Sequence, residues 1–384
     1  MLMIIGFFIL YKRKIDWPQI LKSNAWILIL FLYMGLSILW SDFMVVSFKR
    51  WIKTIGNLIM VLLVLTEPDA VKAIKRIFTR CAYVLIPLSV LFIKYFRHIG
   101  VAYTRDGSVA MWVGVTTHKN ALGQLSFICA FFLLWNILTV WRKKKVFIDM
   151  RVFIDSLVLL MALWLLNGSK TADSKTSIFV FVMGISIYIA LGIMKRDVKH
   201  VGTYIFAMSF SFVLLQLAAD VFLNDSLLEI VVSSSGRDMT FTGRTLLWKE
   251  LIDIGSRHPI LGAGYGSFWI GNLSHDLWDI FGWKPEQSHN GYIDVYVELG
   301  LVGLFLLIGV IFFAYTNMRR TLMVDFEYGR FRIALLVMIL AYNITEGTFT
   351  KGTSLLWFLF ILIAMDIPIN SRYQLKAHRE SSAR

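Results

Sequence analysis

Long apolar runs recur along almost the whole chain and limit what it can fold into. They lie roughly at residues 1–10, 25–40, 54–66, 81–96, 121–140, 152–167, 177–194, 201–223, 290–317, 333–347 and 353–369. Most approach the length of about 20 residues that an α-helix needs to cross a bilayer, and 57% of all residues are hydrophobic. The runs predict an all-α, polytopic membrane protein of about 10–11 transmembrane helices. Residues 1–384 are expected to form a single membrane domain.

Basic residues outnumber acidic ones by 39 to 25 and gather in short clusters between the apolar runs. The clusters fall in alternate loops, at residues 12–14, 72–80, 142–145, 195–199, 319–332 and from 372 onward. The positive-inside rule assigns these loops to the cytoplasm. The remaining loops, including a long one at 224–288 and a short one at 346–352, are then outside. Because the clusters separate membrane helices, the expected partner is the lipid bilayer and not nucleic acid.

One basic cluster does not follow this rule. Lys49, Arg50 and Lys53 come directly after a turn that is predicted to be outside. These side chains either extend from an interfacial segment towards the head groups or face an anionic ligand. The sequence leaves both explanations open.

The long outside loop is expected to contain short amphipathic helices. Leu247, Leu251 and Ile254 recur with helical spacing and form one apolar face. Trp248 stands beside that face, and Thr242 is a suitable cap for the start of the helix. The pattern predicts a helix that lies on the membrane or on the helix bundle.

A glycine-rich stretch follows this amphipathic segment. Pro259 breaks the helix, and Gly262, Gly264 and Gly266 come next. Glycine loops that cradle phosphate follow a strand and open a helix, and this stretch has neither neighbour. The expected structure is a plain turn.

Two sites in the loop are candidates for chemistry. Arg244 stands near a predicted helix start, where backbone N–H groups favour an anion, so its guanidinium can hold a phosphate or diphosphate. The alternative is an ordinary surface arginine. His289 and Asn290 stand where the loop re-enters the membrane. A neutral imidazole there can take a proton from a hydroxyl, and the alternative is a hydrogen-bonded interfacial histidine.

Two shorter outside loops add polar residues at helix entrances. One contains His118, Lys119 and Asn120, and the other contains Lys170 and Lys175. The Ser and Thr residues among them are first of all suited to cap helices. The gathering of cations around a single histidine on one face nevertheless favours an anionic substrate.

The sequence predicts no metal and no other cofactor. The histidines of the outside loops lack the spacing of a metal site, since no HExxH or HxxxH pair occurs. Cys81 and Cys129 both lie in apolar runs, which does not suit a disulfide framework or a thiolate site.

Several motifs together resemble a known family. They are THKNALGQLS (Thr117–Ser126), ADSKTS (Ala172–Ser177), TGRTLLW with RHPILGAGYGSFW, and HNGYIDVYVELGLVG. In this order they resemble the O-antigen ligase and exopolysaccharide polymerase superfamily of bacterial inner-membrane proteins. The TGRT, GYGSFW and HNGY motif sequences look most similar to its exopolysaccharide-production branch. The resemblance covers roughly residues 36–365.

The resemblance implies an all-helical, metal-independent glycosyltransferase. Its donor would be a glycan on an undecaprenyl-diphosphate carrier, at the periplasmic face of the inner membrane. The acceptor would be lipid A-core in a ligase and another carrier-linked glycan in a polymerase, and the motifs do not decide between them. Chain-length regulators and export proteins are further candidate partners.

Roles for individual residues follow from matching the motifs. The family's histidine falls on His289 and its GR arginine on Arg244, while its second basic position falls on Lys175, for which Lys170 competes. Lysine lacks the bidentate fork of arginine. Asn290, His118, Lys119 and Arg105 complete the predicted substrate-binding set.

In the predicted reaction, the cations stabilise the diphosphate leaving group. His289 orients or deprotonates the acceptor hydroxyl, and attack opposite the diphosphate inverts the anomeric centre.

Two other classes remain as alternatives. A transporter or flippase of polyprenyl-linked sugars would need charges and broken helices near the bilayer midplane. A non-catalytic assembly subunit is the other possibility. The candidate polar groups lie at the outer helix ends, which favours the enzyme.

Overall fold

A computed structural model describes residues 2–13, 15–103, 109–144, 149–169, 174–193, 240–281 and 285–366. The predicted apolar run at 201–223 lies outside these residues, as do Arg105 and Lys170.

Helices account for most of the described chain. In chain order they are α1 (Leu2–Lys12), α2 (Trp17–Ser23), α3 (Ala25–Leu36), α4 (Met44–Leu65), α5 (Ala70–Tyr95), α6 (Arg97–Gly100), α7 (Lys119–Lys144), α8 (Met150–Asn167), α9 (Lys175–Ile193), α10 (Thr240–Gly255), α11 (His275–Phe281), α12 (Gly291–Val324), α13 (Phe326–Thr345) and α14 (Leu355–Ala364), with 3₁₀ turns at Ser37–Trp40, Phe268–Ile270 and Asn272–Ser274. A short antiparallel hairpin, β1 (Val101–Tyr103) and β2 (Ala110–Trp112), precedes α7. The predicted all-α class is confirmed.

Several of these helices suit a membrane. Within the described residues, five are long and apolar enough to cross one, or six if α2 and α3, which meet at 83°, form a single span. The five are α5, α7, α8, α9 and α12. The protein is therefore a multi-pass membrane protein. The total of about 10–11 spans stays a prediction, because residues 194–239 lie outside the described chain.

Helix α13 lies at the centre of the bundle. It packs against α9, α12 and α14, and nearly every side chain between Tyr328 and Ile339 is buried. Around it, α8, α9 and α12 turn apolar side chains outward, such as Leu160, Phe179 and Phe312. A helix buried on all sides belongs to the interior of the bundle, and the outward-facing apolar rows of the other helices suit contact with lipid.

The predicted basic loops are shorter than the sequence suggested. The cluster at 72–80 lies within α5, which begins at Ala70. Only Asp325 separates α12 from α13, so the cluster at 319–332 is almost wholly helical. These loop assignments were wrong because a charged side chain with a partner, or with access to the head groups, does not end a helix.

Arg330 and Arg332 show how such charges are accommodated, since both are at most 2% exposed. Arg330 donates to the Glu327 carboxylate and to the Tyr188 hydroxyl. Arg332 donates to the backbone carbonyl of Ile363 at the end of α14. Both guanidinium groups are therefore bonded within the protein.

The glycine-rich stretch supplies hydrogen bonds at a break in α12. Gly300 has left-handed backbone torsions (φ 65°) and interrupts the helix. The carbonyls of Val297 and Glu298 instead accept hydrogen bonds from the N–H groups of Ala263 and Gly264, at 3.0 and 2.9 Å. Gly262 packs against the Glu298 carbonyl so closely that a Cβ would clash. The stretch is a turn, as predicted, and its backbone N–H groups bond α12 carbonyls at the break in that helix.

Helix α10 carries the predicted apolar face. Leu247, Leu251 and Ile254 are buried in a small apolar cluster with Phe268 and Leu277 from the rest of the loop. The sequence allowed two positions for this helix, on the membrane or on the helix bundle. It lies on the bundle, since α10 packs against α12. The predicted cap was wrong: α10 begins at Thr240, so position 242 lies inside its first turn. The helix begins further towards the N-terminus than the apolar pattern indicated.

Candidate functional site

The Glu346 carboxylate lies at the centre of a polar cluster at one end of the bundle. Glu346 directly follows α13, and its side chain is 8% exposed. One carboxylate oxygen accepts a hydrogen bond from Asn120 Nδ2 at 2.7 Å and lies 3.5 Å from Arg244 Nη2. The other lies 3.1 Å from His289 Nδ1. This carboxylate therefore links the end of α13 to helix α10 and to the starts of α7 and α12.

The backbone around His289 is constrained. His289 has φ 54°, a left-handed conformation that is unfavourable for a residue with a side chain. Asn290 caps α12, since its Oδ1 accepts the N–H groups of Tyr292 and Ile293 at 2.9 and 3.2 Å. Strained residues of this kind persist where surrounding contacts hold them, and they concentrate at functional sites.

The contact with Glu346 orients the imidazole of His289. An ionised carboxylate only accepts hydrogen bonds, so it favours the tautomer with the proton on Nδ1. Nε2 then carries a lone pair, and no described residue is hydrogen-bonded to it. The His289 side chain is 28% exposed. This arrangement suits a general base whose second nitrogen is available to a substrate hydroxyl.

Arg244 reaches the same cluster from α10. Its Nη1 donates to the backbone carbonyl of Thr345 at 2.8 Å, and its side chain is 28% exposed. Because α10 begins at Thr240, Arg244 lies one turn into the helix and not at its start, so the predicted help from the helix end is weaker. The guanidinium still has N–H donors to offer an anion, since its partners among the described residues are Thr345 and Glu346.

Lys175 begins α9 close to this cluster. Its neighbour Thr176 accepts a hydrogen bond from Thr345 Oγ1 at 3.1 Å. Thr345 is also the residue whose carbonyl binds Arg244. Lys175 is exposed at the start of α9, so its ammonium is accessible from outside the protein.

His118 and Lys119 stand at the entrance to α7, next to Asn120. Partial burial lowers the pKa of His118, the charge of Glu346 opposes that shift, and Lys119 and His289 add to it. The lowered pKa favours neutral His118 at pH 7. A neutral His118 adds no charge to the cluster.

The structure brings together most of the predicted residues but leaves their roles untested. His289, Asn290, Arg244, Lys119 and His118 gather at or beside Glu346, and Lys175 starts the adjoining helix. Arg105 and Lys170 lie outside the described residues.

Sequence reasoning missed Glu346 as a member of the site and gave no role to Lys351, five residues further along the chain. Both lie in the predicted outside loop at 346–352, where they are the only two charged residues. An acidic residue at a helix end that faces several predicted cations was the available signal. In the described part of the chain, no three His, Cys, Asp or Glu side chains gather as a metal site. Metal independence itself stays a prediction.

Comparison with known proteins bears on this site. Residues 157–308 match the family model described as O-antigen ligase. The chain is also similar to the exopolysaccharide production protein ExoQ of Rhizobium meliloti (strain 1021), with 23% identity over 320 residues, which is 80% of this chain and 69% of the relative. The resemblance to the O-antigen ligase and exopolysaccharide family is confirmed. The similarities support a membrane enzyme of the O-antigen ligase or polymerase type.

The family match and the polar cluster overlap in part. The matched residues include Lys175, Arg244 and His289. Glu346 lies beyond the matched segment. Its place in the cluster is therefore a finding from the folded chain.

Proposed function

We propose that this protein is a glycosyltransferase of the bacterial inner membrane. It takes glycan from an undecaprenyl-diphosphate carrier at the periplasmic face and transfers or polymerises it during surface or exopolysaccharide synthesis. The observation that carries the proposal is the convergence of His289 and Arg244 on the Glu346 carboxylate. This convergence offers a base and an anion-binding group at one end of a membrane bundle.

Arg244 and Lys175 would neutralise the donor diphosphate. A guanidinium can bind two phosphate oxygens at once, whereas the lysine supplies a point charge. The two residues are connected through Thr345 and Thr176. Two cations that face the departing diphosphate together would stabilise it without a metal.

His289 would activate the acceptor. Nε2 takes the proton of the acceptor hydroxyl while that oxygen attacks the anomeric carbon of the donor sugar. The bond from the anomeric carbon to the diphosphate oxygen breaks, and the carrier diphosphate leaves with the electron pair. Glu346 stabilises the imidazolium that forms, as a carboxylate partner does for a catalytic histidine. Attack from the side opposite the diphosphate inverts the anomeric configuration.

Polymerisation is the form of the reaction that we favour, because the relative is named for exopolysaccharide production. A ligase that transfers glycan to lipid A-core is the alternative. The deciding experiment supplies purified protein with carrier-linked glycan, and with lipid A-core in a parallel reaction. Longer carrier-linked products support the polymerase, and a lipid A product supports the ligase. Folded protein that makes neither product would contradict the proposed function.

Two further arms test the finer parts of the proposal. EDTA should leave transfer unchanged, and loss of transfer that a divalent cation restores would contradict metal independence.

Thiol labelling tests which face of the membrane carries the site. Lys249→Cys on the exposed side of α10 should react with a membrane-impermeant thiol reagent in intact spheroplasts. Met323→Cys at the far end of α12 should react only after lysis, and both variants are made with Cys81→Ser because Cys81 is exposed.

A further inference from the structure

Two turns near Glu346 contain non-glycine residues with left-handed backbone. His289 (φ 54°) lies in the turn at 287–290, here termed the histidine turn. Thr350 (φ 58°) lies in the turn at 346–354 between α13 and α14, here termed the α13–α14 turn. They are the only such residues in the described chain. Backbone conformations of this kind require neighbouring contacts that hold them.

Lys351 connects these two turns. Its Nζ donates to Asp294 Oδ2 at 2.8 Å and to Gln287 Oε1 at 3.2 Å. The other oxygen of Asp294 accepts the N–H of Ser288 at 3.0 Å. Lys351 thus holds the two residues that precede His289, one directly and one through Asp294.

In the ion pair between Lys351 and Asp294, the carboxylate is buried and the lysine is partly exposed. The side chain of Asp294 is 3% exposed and that of Lys351 is 32% exposed. A buried carboxylate without a partner is strongly unfavourable, so this pair is expected to stay closed. Both charged groups also pack against Gly347, the residue that follows Glu346. The position of the pair is therefore tied to the backbone that carries Glu346.

We propose that Lys351 and Asp294 form a positioning pair, which sets the approach of the His289 imidazole to the Glu346 carboxylate during catalysis. The inference rests on the proposed function, in which His289 is the base. The histidine turn and the α13–α14 turn are joined at His289–Glu346 and again at Lys351. Without the second connection, the histidine turn can move relative to Glu346, and the imidazole loses its orientation.

The pair acts through His289, so its loss should lower the rate of the chemical step and not the binding of donor. Lys351→Met is expected to lower kcat about 100-fold, the effect of a misplacement of about 1 Å, with KM for the carrier-linked donor little changed. Lys351→Arg keeps a cation of similar reach and should restore most of the rate. The matched control is Lys72→Met, which removes an exposed Lys–Asp pair (3.2 Å to Asp69) and should not change kcat.

A double-mutant cycle tests whether the two residues act as a unit. Asp294→Asn keeps an oxygen for the N–H of Ser288 but loses the ion pair. Combined with Lys351→Met, it should lose no more activity than Lys351→Met alone. If the two substitutions lower activity independently, so that their fold-losses multiply in the double variant, the positioning pair would be overturned. A raised KM with unchanged kcat would also overturn it, since Lys351 would then bind substrate.

The experiment separates this inference from the proposed function. Wild-type activity in His289→Ala would contradict the proposed function itself. An inactive His289→Ala variant together with a wild-type kcat in Lys351→Met would contradict only the positioning pair. If Lys351→Met fails to fold, Asp294→Asn makes the same test, and an unchanged kcat there overturns the inference.

Discussion

The two ends of α13 both carry charged clusters, but the clusters differ in how completely they are bonded. At its start, Arg330 is 1% exposed, donates to Glu327 and Tyr188, and lies 3.8 Å from the centre of the Tyr188 ring. At its end, Arg244 is 28% exposed and lies 3.5 Å from Glu346. One arginine is enclosed by its partners, whereas the other still has room for an anion.

The difference separates charge that holds the bundle together from charge that is available for chemistry. A buried network of hydrogen-bonded charges rigidifies a core. At the end of α13, the partially exposed Arg244 and His289 share one carboxylate, and the backbone of His289 is strained. Such incompletely bonded, strained groups are typical of functional sites.

His289→Ala should cause the largest loss of activity. Loss of a general base typically lowers the rate about 100- to 10,000-fold, and donor binding should survive because Arg244 and Lys175 remain. Single-turnover transfer and carrier binding are measured separately. His289→Gln would retain much of the rate if the imidazole only orients the acceptor. His258→Ala, an exposed histidine of the same loop, is the control, and a wild-type rate in His289→Ala would remove the base from the mechanism.

Substitution of Arg244 should affect activity but leave stability nearly intact. Removing a group that stabilises developing charge lowers kcat about 100- to 1,000-fold. Arg244→Lys should be almost as inactive as Arg244→Ala, because the ammonium lacks the bidentate fork. Arg257→Ala, in the turn after α10, is the control. Near-normal transfer by Arg244→Lys would mean that Arg244 contributes local charge alone.

Arg330→Met should show the opposite behaviour. Removing one partner of a buried ion pair lowers the free energy of unfolding by about 3 kcal/mol, a value at the low end because Glu327 keeps Arg142 as a partner. Thermal unfolding in detergent measures the change, with the exposed Arg80→Met as control. Full stability combined with lost transfer would erase the distinction between the two ends of α13.

Glu346→Gln tests the carboxylate at the centre of the site. The amide still forms hydrogen bonds, but it no longer stabilises an imidazolium at His289. We expect transfer to fall about 10- to 100-fold, the range seen when a group that orients a metal-bound histidine is changed. Glu250→Gln on α10 is the control. Undiminished transfer would show that the contact between Glu346 and His289 is structural only.

The smallest expected effect concerns His118 and pH. Its pKa is lowered in the folded protein, chiefly by partial burial, so the unfolded chain binds the proton more readily. The contribution of His118 to stability is therefore full above the unfolded pKa of about 6.5 and is lost as the pH falls below it. His118→Asn should make the unfolding free energy less dependent on pH between 7 and the lowered pKa, and an unchanged slope would contradict this.

Much of the helical framework could be predicted because its signals are local. A run of apolar residues specifies a buried or lipid-facing helix wherever the rest of the chain lies, and α7, α8 and α9 begin within two residues of the predicted starts. The apolar face of Leu247, Leu251 and Ile254 likewise depends only on helical spacing. Helix ends at charged clusters were predicted less well, because partners elsewhere decide whether a charge ends a helix.

The contacts of the candidate site depended on the tertiary structure. Glu346 is 57 residues from His289 and 226 from Asn120 along the chain, so no local pattern marks it as their common partner. The sequence by itself determined which residue types were available: a histidine, several cations and a helical membrane scaffold. Only the packing of α10 and α12 against the end of α13 decided which of these groups meet, because a hydrogen bond forms only when helices from distant segments bring donor and acceptor within about 3 Å.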